Sequence, residues 1–169
     1  MNRPDAAYWI DRLQLIGHVE GGSYREMYRS PHLIPPEGLP AGFHQKRSLS
    51  TAIYFLLEHN QFSAFHRIAS DELWHFYFGD PLEIIEIDPV NGSLLITRLG
   101  ANPEGGEVFQ ALVKAGQWFG SRVAGTGKYA LVGCTVSPGF DFDDFELADR
   151  AALKSLFPQH GAVIDSLTR

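Results

Sequence analysis

The strongest constraint on the fold is a repeated strand–turn–strand pattern that runs from Leu49 to Val136. Short runs of β-branched and aromatic residues alternate there with turns rich in Gly, Pro, Asn and Asp. The runs predicted as strands are 50–57, 62–68, 73–78, 82–87, 93–99, 108–113, 117–123 and 129–136. Many short strands at this spacing are typical of two packed sheets or a closed barrel. We therefore predict an all-β fold.

The N-terminal segment differs from this pattern. Apolar residues recur at helical spacing over 6–16, which predicts a short amphipathic helix with Asp5 as its N-cap and Gly17 as its end. Residues 20–28 begin with a turn and continue as a strand. Segment 31–42 is rich in proline, which predicts a surface loop.

The C-terminal segment again favours helices, over 144–157 and 162–167, with Pro158 between them. A chain of 169 residues fits one domain better than two, and no internal repeat is evident. We therefore expect a single barrel domain over 1–169, with a short N-terminal helix and C-terminal helices.

Composition narrows the possible partners and the cellular setting. The net charge of −6 argues against nucleic acid as the main partner, because phosphate binding needs a basic face. The longest apolar run is far too short to span a membrane. The one cysteine, Cys134, excludes an internal disulfide and is expected to be a buried apolar residue. These features predict a soluble, cytoplasmic protein.

The segment from Phe65 to Gly79 contains several residues whose side chains could take part in acid–base chemistry. Strand alternation directs His66 into the interior of a barrel, where a histidine can act as a general base near neutral pH. Glu72 shares an inward face with Trp74 and Phe76, and burial among aromatic rings would raise the pKa of its carboxyl group and make it an acid. The alternative is that Glu72 is paired with Arg67 or Arg25. The same alternation places His75 on the opposite face of its strand.

These residues and several other stretches together resemble the cupin superfamily, and in particular its uncharacterised small-cupin family. The resemblance covers nearly the whole chain and rests on the stretches 20–26, 51–57, 65–67, 70–76, 79–82 and 132–142. It implies a double-stranded β-helix, or jelly-roll, barrel that forms a homodimer or a higher homo-oligomer.

The same resemblance bears on metal binding. His66, Glu72 and Gly79 match the first cupin motif, but Ile68 stands where its second metal-binding histidine belongs. In the second motif, over 114–119, Phe119 replaces the histidine. His66 and Glu72 alone leave a first-row metal short of its usual three or four protein ligands. We therefore expect no tightly bound metal and keep a divalent-metal enzyme with His66 and Glu72 as ligands as an alternative.

The family is structurally similar to sugar-nucleotide epimerases of the dTDP-4-keto-6-deoxyhexose type, and this similarity implies an activity. His66 matches the position of the epimerase base, and an isomerase or epimerase of a sugar derivative is the first hypothesis. Its acid would be Glu72 or a tyrosine, with Tyr24, Tyr54 and Tyr129 left open. The second hypothesis is a non-catalytic protein that binds a small ligand in an aromatic-lined pocket. The expected ligand contacts are Trp74, Phe76, Phe119, Tyr24 and Arg25.

The remaining polar residues have simpler interpretations. The other histidines are predicted at the surface: His18, His32, His44, His59 and His160. An acidic group is interpreted as a solvated turn and helix start: Glu107, Asp141, Asp143, Asp144 and Glu146. Segment 125–128 resembles a phosphate loop only in part and is predicted to be a hairpin turn.

Overall fold

The structure is a computed structural model that describes residues 3–169. Two antiparallel sheets and a short ribbon make up its β structure. The strands are β1 (Ile16–Gly17), β2 (Ser23–Arg29), β3 (Leu33–Ile34), β4 (Arg47–Ser48), β5 (Thr51–Glu58), β6 (Phe62–Ile68), β7 (Asp71–Gly79), β8 (Leu82–Ile87), β9 (Leu94–Leu99), β10 (Gln110–Val113), β11 (Trp118–Val123), β12 (Tyr129–Ser137) and β13 (Phe145–Leu147). The three α-helices are α1 (Ala6–Leu13), α2 (Arg150–Leu156) and α3 (Gly161–Ser166).

The two large sheets have the strand order of a jelly roll. The first sheet runs β1-β2-β5-β12-β7-β10, and the second runs β13-β6-β11-β8-β9. Strands β3 and β4 form the separate ribbon. Consecutive strands repeatedly cross from one sheet to the other, so that the inner faces of both sheets share one interior. The predicted all-β jelly-roll with short terminal helices is confirmed.

The main core lies between the sheets and follows from strand alternation. Inward side chains of both sheets form one cluster that includes Phe55, Leu57, Trp74, Ile84, Phe119 and Val132. These side chains are at most 1% exposed. Burial of this apolar surface is the main stabilising contribution to the fold.

The outer faces of the sheets are covered by the terminal helices. Leu153 of α2 and Ile164 of α3 pack on the outward side chains of β6, β8 and β11. Strand β8 is therefore apolar on both faces, with Ile84 inside and Ile85 outside. Helix α1 packs in the same way against the first sheet, around Leu56 and Leu131. No helix within residues 3–169 has the length and apolar character needed to cross a membrane.

Some predicted boundaries differ from the structure. Helix α1 ends at Leu13 because Gln14 takes a left-handed conformation (φ 55°), so Gly17 does not end it. The helix predicted over 144–157 is wrong in its first half, where β13 pairs with β6 and the helix begins only at Arg150, capped by Asp149. Segment 125–128 is a turn, but it joins strands of different sheets rather than a hairpin.

Candidate functional site

A cavity of about 400 Å³ opens between the two sheets. Its walls come from the inner faces of β2, β5, β6, β7 and β12, and residues 140–142 lie across it. The lining residues are His18, Glu20, Tyr24, Glu26, Arg29, Thr51, Ile53, His66, Ile68, Glu72, Cys134, Val136, Phe140, Asp141 and Phe142. This volume lies at the lower end of the range for small-molecule sites.

His66 is held rigidly in the wall of the cavity by its own strand and its neighbours. It lies on β6 opposite Phe119, whose ring centroid is 4.1 Å from that of the imidazole. Its Nδ1 lies 2.8 Å from the carbonyl oxygen of Ala64. Because a carbonyl oxygen only accepts hydrogen bonds, Nδ1 carries the proton. Nε2 is therefore the atom of this ring that exchanges a proton with another group.

Glu20 reaches His66 from a tight turn between β1 and β2. The turn needs glycines, since Gly21 and Gly22 have φ values of +118° and +72°. A Cβ atom at Gly21 would overlap the carbonyl oxygen of Phe62. The close approach lets the Glu20 carbonyl accept a hydrogen bond of 2.8 Å from the Ala64 backbone N–H, which fixes the turn beside β6.

Glu20 and His66 form a buried pair. The Glu20 Oε2 atom lies 3.2 Å from His66 Nε2, and the two side chains are 10% and 4% exposed. A carboxylate oxygen and an unprotonated imidazole nitrogen would repel each other at this distance. The contact is favourable only when one proton lies between the two atoms, so the pair behaves as a single acid–base unit.

His18 is the third member of this group. Its Nδ1 accepts a hydrogen bond of 3.3 Å from the Glu20 backbone N–H, which leaves Nε2 as the protonated nitrogen of the neutral ring. Burial lowers the pKa of His18, and the nearby Glu20 carboxylate only partly offsets this effect. Neutral His18 is therefore a hydrogen-bond donor at the cavity, and it stacks edge-on against Tyr24 at a centroid distance of 4.6 Å.

Glu72 supplies a second kind of carboxyl group. It lies on β7 with 7% exposure, and Cys134 of the neighbouring strand β12 lines the cavity with it. Burial, followed by the negative charge of Glu20, raises the pKa of Glu72 from 4.5 to about 8. The group is therefore a neutral carboxylic acid at pH 7. Burial also raises the pKa of the Cys134 thiol, which makes Cys134 a poor nucleophile.

The cover of the cavity combines aromatic rings with one ion pair. Phe140 and Phe142 meet edge to face at 5.1 Å, and the Phe142 ring lies parallel to His18 at 6.2 Å. Asp144 in the same segment binds Arg47 through two hydrogen bonds of 2.6 and 2.7 Å, and both side chains are largely buried. A buried, bidentate pair of this kind fixes the segment over the cavity.

The structure brings only some of the predicted site residues together. His66, Glu72 and Tyr24 line the cavity. Trp74 and Phe119 are 1% exposed and lie in the core behind the wall, and Phe76 packs against the same core. None of these three aromatic residues lines the cavity, so the aromatic lining comes from Tyr24, Phe140 and Phe142 instead.

Most of the arginines and tyrosines that were predicted to lie near Glu72 or His66 lie elsewhere in the structure. Arg25 lies outside the cavity, where its guanidinium donates to the carbonyl oxygen of Leu13 and to Gln14. Arg67 pairs with Glu146, so neither arginine neutralises Glu72. Tyr54 and Tyr129 belong to the cluster under α1 on the other face of the first sheet, which leaves Tyr24 as the tyrosine at the site.

Three residues that were expected at the surface lie in or over the site. His18 was predicted to be a surface histidine, but the turn to Gly22 folds it into the cavity. Asp141 and Asp144 were interpreted as solvated, but Asp141 lines the cavity and Asp144 is buried against Arg47. Glu20 was not singled out as a functional residue. Its position directly before Gly21-Gly22 was the available signal, since paired glycines mark close backbone approaches.

The donor set does not fit a tightly bound metal. Within the described part of the chain, no three His, Cys, Asp or Glu side chains converge in a way that could hold an ion. Ile68 lines the cavity where a second histidine would be needed, and His75 points away and contacts Thr135 and Gln110. A metal in proteins usually takes three or more such ligands.

An antiparallel jelly-roll barrel whose inner faces enclose a cavity is the architecture of the cupins. The chain belongs to this superfamily, because its residues 7–148 match the family described as Cupin superfamily (DUF985).

The relatives share nearly the whole fold. A hypothetical protein from Leishmania major is 40% identical with a TM-score of 0.89, covering 98% of this chain and 99% of that one. Protein SO0799 from Shewanella oneidensis is 44% identical with a TM-score of 0.88, covering 99% of both chains. The uncharacterized protein YML079W of Saccharomyces cerevisiae is 29% identical over an alignment of 144 residues, with 80% of this chain and 71% of that protein covered.

Proposed function

We propose that this cupin binds a small hydroxycarbonyl compound and catalyses its isomerisation or epimerisation by proton transfer next to the carbonyl group. The observation that carries the proposal is the pairing of His66 Nε2 with Glu20 Oε2 at 3.2 Å beside a neutral Glu72. A hydrogen-bonded carboxylate–imidazole pair and a buried carboxylic acid in one cavity match the two roles that such a reaction needs.

The Glu20–His66 pair is the base in this mechanism. It removes the proton from the carbon next to the carbonyl, and the electron pair of that C–H bond moves towards the carbonyl oxygen. The resting pair already holds a proton between Glu20 and His66 Nε2, and Nδ1 donates to Ala64, so the incoming proton goes to the Glu20 carboxylate, which His66 holds in place.

Glu72 is the acid. At pH 7 its carboxyl group is protonated and can donate to the developing enolate oxygen, which gives a neutral enol. As the Glu20–His66 pair returns a proton to either carbon, or to the other face of the same carbon, a carbonyl group reforms and the enol hydroxyl gives its proton back to Glu72, which restores both groups. Since Glu72 lies in a buried environment, its hydrogen bond to the oxygen is stronger than it would be in water.

A non-catalytic binding protein is the second candidate. The observation that favours it is the aromatic lining of Tyr24, Phe140 and Phe142, which provides apolar surface for one face of a ligand. This function needs no proton transfer. It predicts that a ligand binds without any exchange of its carbon-bound hydrogens.

Hydrogen exchange separates the two candidates. Five- and six-carbon aldoses and ketoses, their phosphate esters and dTDP-linked keto sugars would be incubated in D₂O and followed by NMR. We expect deuterium at the carbon next to the carbonyl of at least one compound, and a loss of at least about a hundredfold in rate for His66→Ala. Glu83→Gln, which removes an ion pair with Arg122 away from the cavity, serves as the control. Binding of a compound without exchange would favour the non-catalytic candidate.

A further inference from the structure

The charged side chains at the cavity define which class of ligand can enter it. Four acidic residues line the cavity, namely Glu20, Glu26, Glu72 and Asp141. Arg29 is the only lysine or arginine among the lining residues that the structure describes. A site for phosphate or pyrophosphate groups needs positive side chains or free backbone N–H groups aimed at the ligand.

Arg29 is already engaged in an ion pair with Glu26 at the edge of the cavity, where the two side chains are 42% and 39% exposed. Its guanidinium donates to both carboxylate oxygens of Glu26, at 3.0 and 2.7 Å, and to the carbonyl oxygen of Phe140 at 3.0 Å. Glu26 therefore balances its charge. The pKa of Arg29 is raised, first by the hydrogen bond to Glu26 and further by the charges of Glu26 and Asp141. The arginine thus links β2 to the backbone of Phe140, in the segment 140–142 that lines the cavity.

The side chains deeper in the cavity also provide no net positive charge that could bind an anion. The Glu20–His66 contact holds one proton between a carboxylate and an imidazole, which leaves that pair without net charge. Neutral His18 and protonated Glu72 add hydrogen-bond donors but no charge. An anionic group entering this space would lose its hydration and meet only Asp141 and the Glu26–Arg29 pair, so its desolvation would not be offset.

The size and the apolar walls of the cavity also favour a small, uncharged ligand. The cavity holds about 400 Å³, which is small for a nucleotide with a sugar attached. Tyr24, Phe140 and Phe142 provide aromatic faces, against which the apolar face of a sugar ring packs well. The hydroxyl groups of such a ring would find donors and acceptors in His18, Glu72 and Thr51.

We propose that the cavity takes an uncharged hydroxycarbonyl compound of about monosaccharide size, and that it discriminates against phosphorylated and nucleotide-linked forms. The carbonyl in this proposal rests on the proposed function, whereas the discrimination against anions rests on the charges at the cavity and on its size. Glu26 is a specificity-determining residue because it keeps Arg29 from acting as an anion-binding group.

A matched binding series tests the charge selectivity. Free aldoses and ketoses of five and six carbons would be compared with their own terminal phosphate esters by calorimetry and ligand-observed NMR. We expect at least one free sugar to bind at least about tenfold more tightly than its phosphate ester. Equal or tighter binding of the ester, or no binding of any free sugar up to about 10 mM, would overturn the proposal.

The Glu26→Gln variant tests the residue assignment. Removing this carboxylate frees the Arg29 guanidinium from its ion pair, so the affinity for the phosphate ester relative to that for the free sugar should rise about tenfold. The matched control is Glu83→Gln, which frees Arg122 away from the cavity and should change neither affinity. An unchanged preference in Glu26→Gln would show that the Glu26–Arg29 pair does not set the selectivity.

The outcomes for the two proposals are distinguishable. A free sugar that binds selectively but shows no deuterium exchange supports the charge selectivity and contradicts the proposed catalysis. A phosphorylated or nucleotide-linked sugar that binds and exchanges supports the catalysis and contradicts the charge selectivity.

Discussion

The imidazole of His66 and the carboxylate of Glu20 meet at 3.2 Å in the wall of the cavity, although one belongs to a strand and the other to a turn near the N-terminus. Neither side chain is more than 10% exposed. The pair must share a proton to be stable at this distance, and this requirement links the fold of the turn to the chemistry of the site.

Replacement of Glu20 by Gln should break the acid–base unit with little change in shape. An amide donates a hydrogen bond to Nε2 and cannot stabilise an imidazolium, so the bridging proton should be absent at pH 7. The ¹⁵N chemical shifts of His66 should become those of a neutral ring protonated at Nδ1, and any proton-exchange activity should fall at least about a hundredfold. Identical ¹⁵N shifts in the variant and the wild type would contradict the pairing.

Replacement of Glu72 by Gln should change how stability depends on pH. The folded-state pKa of Glu72, about 8, lies above its ordinary value of 4.5. Between these values the unfolded state releases the proton while the folded state keeps it, so the wild type loses stability as the pH rises from about 4.5 to about 8.

Glu72→Gln should remove this loss, because the amide does not ionise in either state. Its free energy of unfolding, measured by urea unfolding and compared with that of the wild type, should be larger at pH 9 than at pH 5 by on the order of a few kcal/mol. Glu146→Gln, an exposed member of an ion pair with Arg67, is the control and should show a much smaller change. Parallel pH profiles for Glu72→Gln and wild type would refute the raised pKa.

Replacement of Gly21 by Ala should damage both the fold and the site. The backbone at Gly21 has a φ of +118°, and an added Cβ would overlap the carbonyl oxygen of Phe62. We expect a loss of about 2–4 kcal/mol in stability, with displacement of Glu20 from His66. Gly42→Ala is the matched control, since Gly42 has a φ of +107° but no atom within 4 Å of the added Cβ. Similar stabilities for the two variants would show that the overlap is unimportant.

Two substitutions should complete the ligand set of a cupin metal site. Ile68 lines the cavity beside His66, and the Phe119 ring lies 4.1 Å from the His66 ring. The double variant Ile68→His/Phe119→His should bind about one Zn²⁺ or Mn²⁺ per chain, whereas wild type should hold less than about a tenth, by elemental analysis. Ile53→His, which adds an imidazole elsewhere in the cavity, controls for nonspecific binding. Nearly one equivalent of metal in purified wild type would contradict this account.

The sequence predicts the barrel well because strand alternation and turn residues are local properties. The strands 62–68 and 82–87 have the predicted bounds, and His66 and Glu72 are recognisable from their spacing on β6 and β7. The helix predicted over 144–157 failed because β13 forms only through pairing with β6, a contact between distant parts of the chain.

The rest of the site depends on tertiary contacts that local patterns do not reveal. Glu20 and His18 reach the cavity through the hydrogen bond between the Ala64 N–H and the Glu20 carbonyl. Trp74 and Phe119 have inward positions, as alternation predicts, but inward strand positions serve both the core and the cavity. Their depth along the barrel decides between these roles.

The protonation state of Glu72 tests the account most directly, because the proposed acid depends on it. The side-chain carboxyl carbon of Glu72 can be followed by ¹³C NMR during a pH titration and assigned by its absence in Glu72→Gln. A midpoint near pH 8 is expected, in keeping with burial of the carboxyl group beside Glu20. A midpoint near the ordinary value of 4.5 would mean that Glu72 is ionised at neutral pH and would contradict the account.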